Sequence, residues 1–126
     1  FVDFFFFNTD AIQKLLQDEL FISVLRSNAK LLLLSWGWLI DEERLVEDAT
    51  SDQRWQNYPV RLYKCVLSLK IFGQTDYLQS IKKFVQYLGY GPNKALNTND
   101  KDAVRVIRTL EMPGYEQYSD PGLRYT

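Results

Sequence analysis

Apolar residues recur along most of the chain at the three- and four-residue intervals of an amphipathic helix. After the cap-type run Asn8-Thr9-Asp10, the residues Ile12, Leu15 and Leu16 predict a first short helix ending near Glu19. Phe21, Val24, Leu25, Leu31 and Leu32, with Ser27 and Asn28 on the other side, predict a second helix from Phe21 through Trp36. Asp18 or Glu19 stands near its start, and Gly37 can stop it in a left-handed conformation. Residues 31–34 are apolar on every side, which predicts burial by neighbours on more than one face.

A third helix is expected from Pro59, a residue suited to the first helical position, to Gly73. Leu62, Val66 and Leu69, and also Cys65, Leu69 and Phe72, fit its spacing. Cys65, Leu67, Leu69 and Ile71 alternate as a strand would, but the length of the segment and its Pro and Gly punctuation favour helix. Thr75-Asp76 caps a fourth, with Leu78, Ile81, Phe84, Val85 and Leu88 as its stripe and Gly89 as its stop. Asn97-Thr98-Asn99-Asp100 caps a fifth, with Ala103, Val104, Ile107 and Leu110 as its apolar face and Met112-Pro113-Gly114 as its end.

Between these helices the polar stretch 47–52 is expected as an exposed connection, residues 89–93 as a turn, and residues 115–126 as an extended tail. The fold class that follows is all-α, a compact bundle of about five helices without substantial sheet, in one domain over residues 1–126. The start at Phe1 and the run Phe4-Phe5-Phe6-Phe7 read as the interior of a longer protein, without the basic n-region of a secretory signal. The longest strongly apolar window, 31–40, is far short of the roughly 20 residues that cross a membrane. An intracellular location, cytoplasmic or nuclear, is the expectation.

Composition narrows the chemistry. Three Trp, eight Tyr and eight Phe in 126 residues, with 46% hydrophobic content, exclude a disordered chain. A single cysteine excludes an intrachain disulfide, and the absence of histidine removes every mechanism and metal site that needs an imidazole. The net charge of −1 conceals an asymmetry: residues 1–60 hold five bases and ten acids, residues 61–126 ten bases and six acids. Such halves either serve different partners or fold against each other.

Few residues suggest catalysis. Within 41–54, Glu43 and Glu47 lie four apart, a spacing that on a helix would suit an oxygen-loving divalent ion, but the loop lacks the Gly-centred EF-hand pattern. A solvated acidic connection is the simpler reading. Gly89-Tyr90-Gly91 is followed by Pro92 and is not a phosphate-binding fingerprint. Cys65 lies beside Lys64 but on the apolar stripe, as a buried structural cysteine would. No enzyme activity, metal or cofactor is expected.

Binding is better motivated. Arg61, Lys64, Lys70, Lys82, Lys83, Arg105 and Arg108 fall on three consecutive predicted helices, interleaved with Tyr63, Tyr77 and Tyr87. Trp36, Trp38, Trp55 and Tyr58 form an aromatic group that is either a partner hot spot or core and rim packing. The candidate partner-binding residues are Trp38, Trp55, Tyr58, Arg61 and Lys64.

The order of signals from Thr9 to Ile40 resembles the conserved domain of opioid growth factor receptor-like proteins. A Thr-led helix (Thr9, Ile12, Leu16) leads to Asp18, then to a helix with Leu25 and Ser27, a Leu-rich stretch at 31–34, and the ending Ser35-Trp36-Gly37. Further on, Arg61-Leu62-x-Lys64-x-Val66-x-Ser68-Leu69-x-x-x-Gly73, followed by Tyr77 and Phe84, looks like the family's later basic helix and its partner, and the start Phe1-Val2-Asp3-Phe4-Phe5-Phe6 resembles its aromatic entry segment. The similarity covers roughly residues 1–88. It departs where the family carries His-Asn before the Arg of the later helix, since this chain has Asn57-Tyr58-Pro59-Val60. The resemblance implies a helical domain without established catalysis, tied in animals to binding a small opioid peptide and to growth regulation at the nucleus. No ligand-contact residue is matched.

The preferred reading is a non-enzymatic helical domain that binds a protein or peptide. The alternatives are a nucleic-acid-binding module using the basic second half and a structural subunit of a larger assembly.

Overall fold

The structure, a computed structural model, describes residues 9–56, 58–90 and 100–111. Among these residues the order is α1 (Thr9–Leu16), α2 (Glu19–Ser35), β1 (Trp38–Leu39), β2 (Arg44–Leu45), α3 (Pro59–Ile71), α4 (Thr75–Tyr90) and α5 (Lys101–Glu111). The class is all-α, with one two-residue antiparallel ribbon that pairs Trp38 with Leu45 and Leu39 with Arg44.

The helix ends follow from local chemistry. The Asp18 carboxylate accepts the Phe21 N–H at 3.1 Å and caps α2, and the Asp100 carboxylate accepts the N–H groups of Asp102 and Ala103 before α5. Past α3, Gly73 takes φ 69° and its N–H bonds the Lys70 carbonyl, while the Gln74 N–H reaches back to Leu69 at 2.8 Å. That reciprocal pair satisfies two carbonyls the helix would otherwise leave orphaned.

α3 is the central helix and packs against α2, α4 and α5. It is buried at Leu62 and continuously from Cys65 to Ile71. This is why its sequence satisfies both periods: a helix covered on nearly all sides is apolar at alternate positions as well, and the strand alternative for 65–71 does not form. Lys70 lies within the buried run, and its ammonium donates to the Thr109 carbonyl at 2.6 Å, in the last turn of α5 where carbonyls lack helical partners.

The second centre is aromatic. Phe84 of α4 lies among Trp36, Trp38 and Trp55, with ring centroids 6.5, 5.3 and 6.3 Å away. Trp38 is buried, and its indole N–H donates to the Ser80 hydroxyl at 3.1 Å, which in turn donates to the Ile40 carbonyl at 2.7 Å. The relay ties the ribbon to α4 without leaving a buried polar atom unpaired.

Four sequence expectations are corrected. Residues 31–34 are not uniformly buried: Leu33 is inside, but Leu31 is 64% exposed, because the inward stripe of α2 is Leu25, Ala29 and Leu33 and Leu31 lies on the far side of that turn. Gly89 does not stop α4; it is buried, is not one of the positive-φ glycines, and the helix continues to Tyr90. The face of α5 centres on Ala103, Val106 and Thr109, leaving Val104, Ile107 and Leu110 half-buried. Thr109 tolerates burial because its hydroxyl donates to the Arg105 carbonyl at 2.7 Å. The ribbon at 38–45 was not foreseen, since two-residue strands are too short to show alternation. The expectations for the Phe-rich start, the turn at 91–93, the end at 112–114 and the tail at 115–126 lie outside the described residues.

Candidate functional site

The five candidate residues separate into three locations. Tyr58, Arg61 and Lys64 come together at the start of α3. There, Arg61 and Lys64 line a surface groove with Asn28, Leu31, Leu32 and Ser35 of α2, of about 530 Å³. Arg61 and Lys64 are one helical turn apart, and the Arg61 guanidinium stands 5.3 Å from the centroid of the Tyr58 ring. Neither cation has an ion-pair partner among the described residues. The first turn of α3 contains no acidic residue, so the positive end of the helix dipole adds to the two side-chain charges. Leu31, Tyr58 (47% exposed) and Val60 place apolar surface beside them.

Leu31 and Val60 are exposed apolar residues that the sequence did not single out as surface. The available signal was the four-residue spacing of Leu25, Ala29 and Leu33, which directs Leu31 away from the core. Trp38 sits in the core and offers a partner no surface. Trp55, half-buried, packs edge-to-face on Trp36 at 4.8 Å and lines a different cavity, between the 45–55 segment and α4.

Several charged residues of α2 and of the 41–47 segment are paired, with α4 or with each other. Arg26 makes a two-pronged pair with Asp76, bonds the Gln74 side-chain carbonyl at 2.8 Å, and lies 3.8 Å from the Tyr77 ring centroid. Tyr77 donates its hydroxyl to Asp41, whose other oxygen meets Lys30 at 2.7 Å. Hydrogen bonds from Lys30 and Tyr77 hold the Asp41 carboxyl below its usual value, and the Arg26 hydrogen bond does the same for Asp76. Burial, then the bond to Asp41, pushes the Tyr77 phenol up to about 12. A phenol whose folded value is raised favours folding below its unfolded value near 10, and loses that contribution as the pH rises through the folded value. The stability gap between wild type and Tyr77→Phe is therefore expected to narrow between pH 10 and about 12. Denaturant midpoints across that range check it, and a constant gap would contradict it.

The acidic pair read at helical spacing is not on a helix. Glu43 ends the turn of the ribbon at φ 55° and pairs with Lys83 at 2.9 Å, while Glu47 follows β2 and approaches Arg44 at 3.8 Å. Among the described residues, no three His, Cys, Asp or Glu converge as a metal site. Cys65 is fully buried, and burial raises its thiol far above the range in which a thiolate forms at neutral pH. No helix among the described residues is long and apolar enough to cross a membrane.

Comparison with family models, with curated proteins and with solved structures finds no match to this chain. The reading of its function rests on the geometry of its surface.

Proposed function

We propose that this chain is a non-enzymatic interaction domain whose α2–α3 groove takes an acidic amphipathic segment of a partner protein. The supporting observation is the pairing of two cations, Arg61 and Lys64, unneutralised among the described residues, with the exposed leucine Leu31 on the facing helix. An amphipathic helix or extended segment would lay its apolar side chains on Leu31 and Leu32 and set carboxylates against the basic pair. Arginine recognises carboxylates with a fixed fork of donors, and here its face is also stacked near Tyr58. The resemblance to opioid growth factor receptor-like domains points the same way, toward helical binding without catalysis, but carries no peptide specificity. The nucleic-acid alternative has less to draw on, because Lys70 is buried, Lys83 pairs with Glu43 and Arg105 pairs with Asp102.

Fluorescence anisotropy with a labelled acidic amphipathic peptide tests the reading. Saturable binding is expected that weakens with salt and falls about tenfold or more, the equivalent of 1.4 kcal/mol, in Arg61→Glu/Lys64→Glu and in Leu31→Asp. No saturable binding at low salt, or equal affinity in both variants, would overturn it. A labelled mixed oligonucleotide pool in the same assay addresses the nucleic-acid alternative.

A further inference from the structure

We propose that the aromatic cavity between the 45–55 segment and α4 is a binding site for a small aromatic carboxylate. The site is separate from the α2–α3 groove and does not depend on it.

The cavity holds about 420 Å³, within the range of about 300–1,000 Å³ in which proteins take small molecules. Trp36, Trp55, Phe84, Tyr87 and Leu88 give it apolar walls. Trp36, Phe84 and Leu88 are buried and form a fixed floor, whereas Tyr87 is 50% exposed and stands at the mouth. Trp55 packs edge-to-face on Trp36 at 4.8 Å, so the rings already meet at steep angles. A flat apolar group resting among them would leave water on most of its surface and gain the stacked and edge-to-face contacts that aromatic pairs prefer.

Three lining residues offer donors, and they name the ligand's polar end. Arg54 is the one charged residue that lines the cavity, and it has no ion-pair partner among the described residues. The indole N–H of Trp55 is buried without an acceptor among the described residues. Folded proteins rarely carry a buried donor in that condition, and an acceptor brought by a ligand would relieve it. Gln53 spends its side-chain carbonyl on the Thr50 N–H at 3.1 Å, which leaves the donors of that amide as its remaining polar group. Glu47, Asp48 and Asp52 are exposed on the same segment but are not among the lining residues. A cation and an unpaired donor beside apolar rings fit an anion carried on an aromatic body. A carboxylate brings two oxygens, enough to meet the Arg54 fork and the indole N–H together. A cationic ligand would be repelled by Arg54, and an uncharged one would forgo the charge-assisted bond.

Two of the chain's three tryptophans line the cavity, so intrinsic emission reports on it directly. The probe is phenylpropionate, run beside its uncharged amide and beside propionate, which lacks the ring. A saturable emission change is expected with phenylpropionate, and affinity about tenfold or more weaker for the other two. Arg54→Gln, an exposed position whose folding is checked by circular dichroism, should abolish the preference for the acid over the amide. Trp55→Phe keeps an aromatic wall and removes the donor; followed through Trp36, it should weaken phenylpropionate about fivefold or more. Arg61→Glu/Lys64→Glu should leave the affinity unchanged. The proposal is overturned by no saturable change, by equal affinity for acid and amide, by a preference that survives Arg54→Gln, by full affinity in Trp55→Phe, or by binding that depends on Arg61 and Lys64. Tighter binding of a peptide ending in Phe, which carries the same ring and carboxylate, would assign the cavity to a chain terminus and overturn the small-molecule reading. The two sites share no residue, so failure here leaves the acidic-segment reading of the α2–α3 groove standing, and the reverse.

Discussion

Replacing Phe84 with alanine is expected to lower stability by about 3–5 kcal/mol, the cost of emptying a large aromatic site in a packed core. Phe84 is 1% exposed and, among the described residues, is the ring that contacts all of Trp36, Trp38 and Trp55. Its loss removes the transfer free energy of the ring and the edge and stacking contacts with three neighbours, and leaves a void that α4 and the ribbon cannot both close. Against a typical domain stability of about 5–15 kcal/mol, this takes a large share. Denaturant midpoints followed by tryptophan emission measure it. Phe84→Leu keeps most of the volume and should lose much less. A loss below about 1 kcal/mol in Phe84→Ala would show that the tryptophan cluster is not a core.

Gly37→Ala is the other large effect, expected at about 2–5 kcal/mol from two separate causes. At φ 82° the residue is left-handed, which costs a side-chain-bearing residue about 1–2 kcal/mol. A Cβ built there would also stand 2.6 Å from the Gln53 carbonyl oxygen, so the backbone of the 45–55 segment would have to move, adding an overpacking cost of about 1–3 kcal/mol. Gly73→Ala is the control: that glycine is also left-handed but exposed, and its substitution should cost nearer the conformational share alone. Equal losses at the two positions would show that the Gln53 contact carries no cost. Since Gly37 and Gln53 both line the aromatic cavity, Gly37→Ala should also change the tryptophan emission of the native state, which Gly73→Ala should not.

These two residues illustrate how much could be read in advance. Phe84 stood on a predicted stripe and Gly37 at a predicted helix stop, because helix periodicity and left-handed caps are local properties encoded within a few residues. Gln53 was invisible from Gly37, since the close approach joins segments sixteen positions apart. The candidate site was legible in half. Tyr58, Arg61 and Lys64 lie close in sequence and stand together, but a run of four leucines hides that Leu31 is the one the core leaves most exposed. Trp38 and Trp55 have the same side chain and similar acid-rich surroundings in the sequence. Trp38 is buried against Phe84 with its indole N–H on Ser80, 42 residues further on, whereas Trp55 is half-buried, and neither outcome is visible in the residues around them.

The amino-acid order was sufficient for the helical class, for a cap at Asp18 or Glu19, a cap within 97–100 and a stop at Gly73, and for excluding imidazole chemistry and an intrachain disulfide, because each depends on composition or on neighbours within one turn. The tertiary structure decided which face of each helix is covered, and with it which charges are left unpaired. The acids and bases of the two halves partly neutralise one another, through Arg26 with Asp76 and Lys83 with Glu43. Among the described residues, Arg61 and Lys64 stay unpaired on one surface, and Asp48 and Asp52 on another. Pairing is a matter of a few ångströms between residues far apart in the chain, so no count of charges along the sequence could have located them.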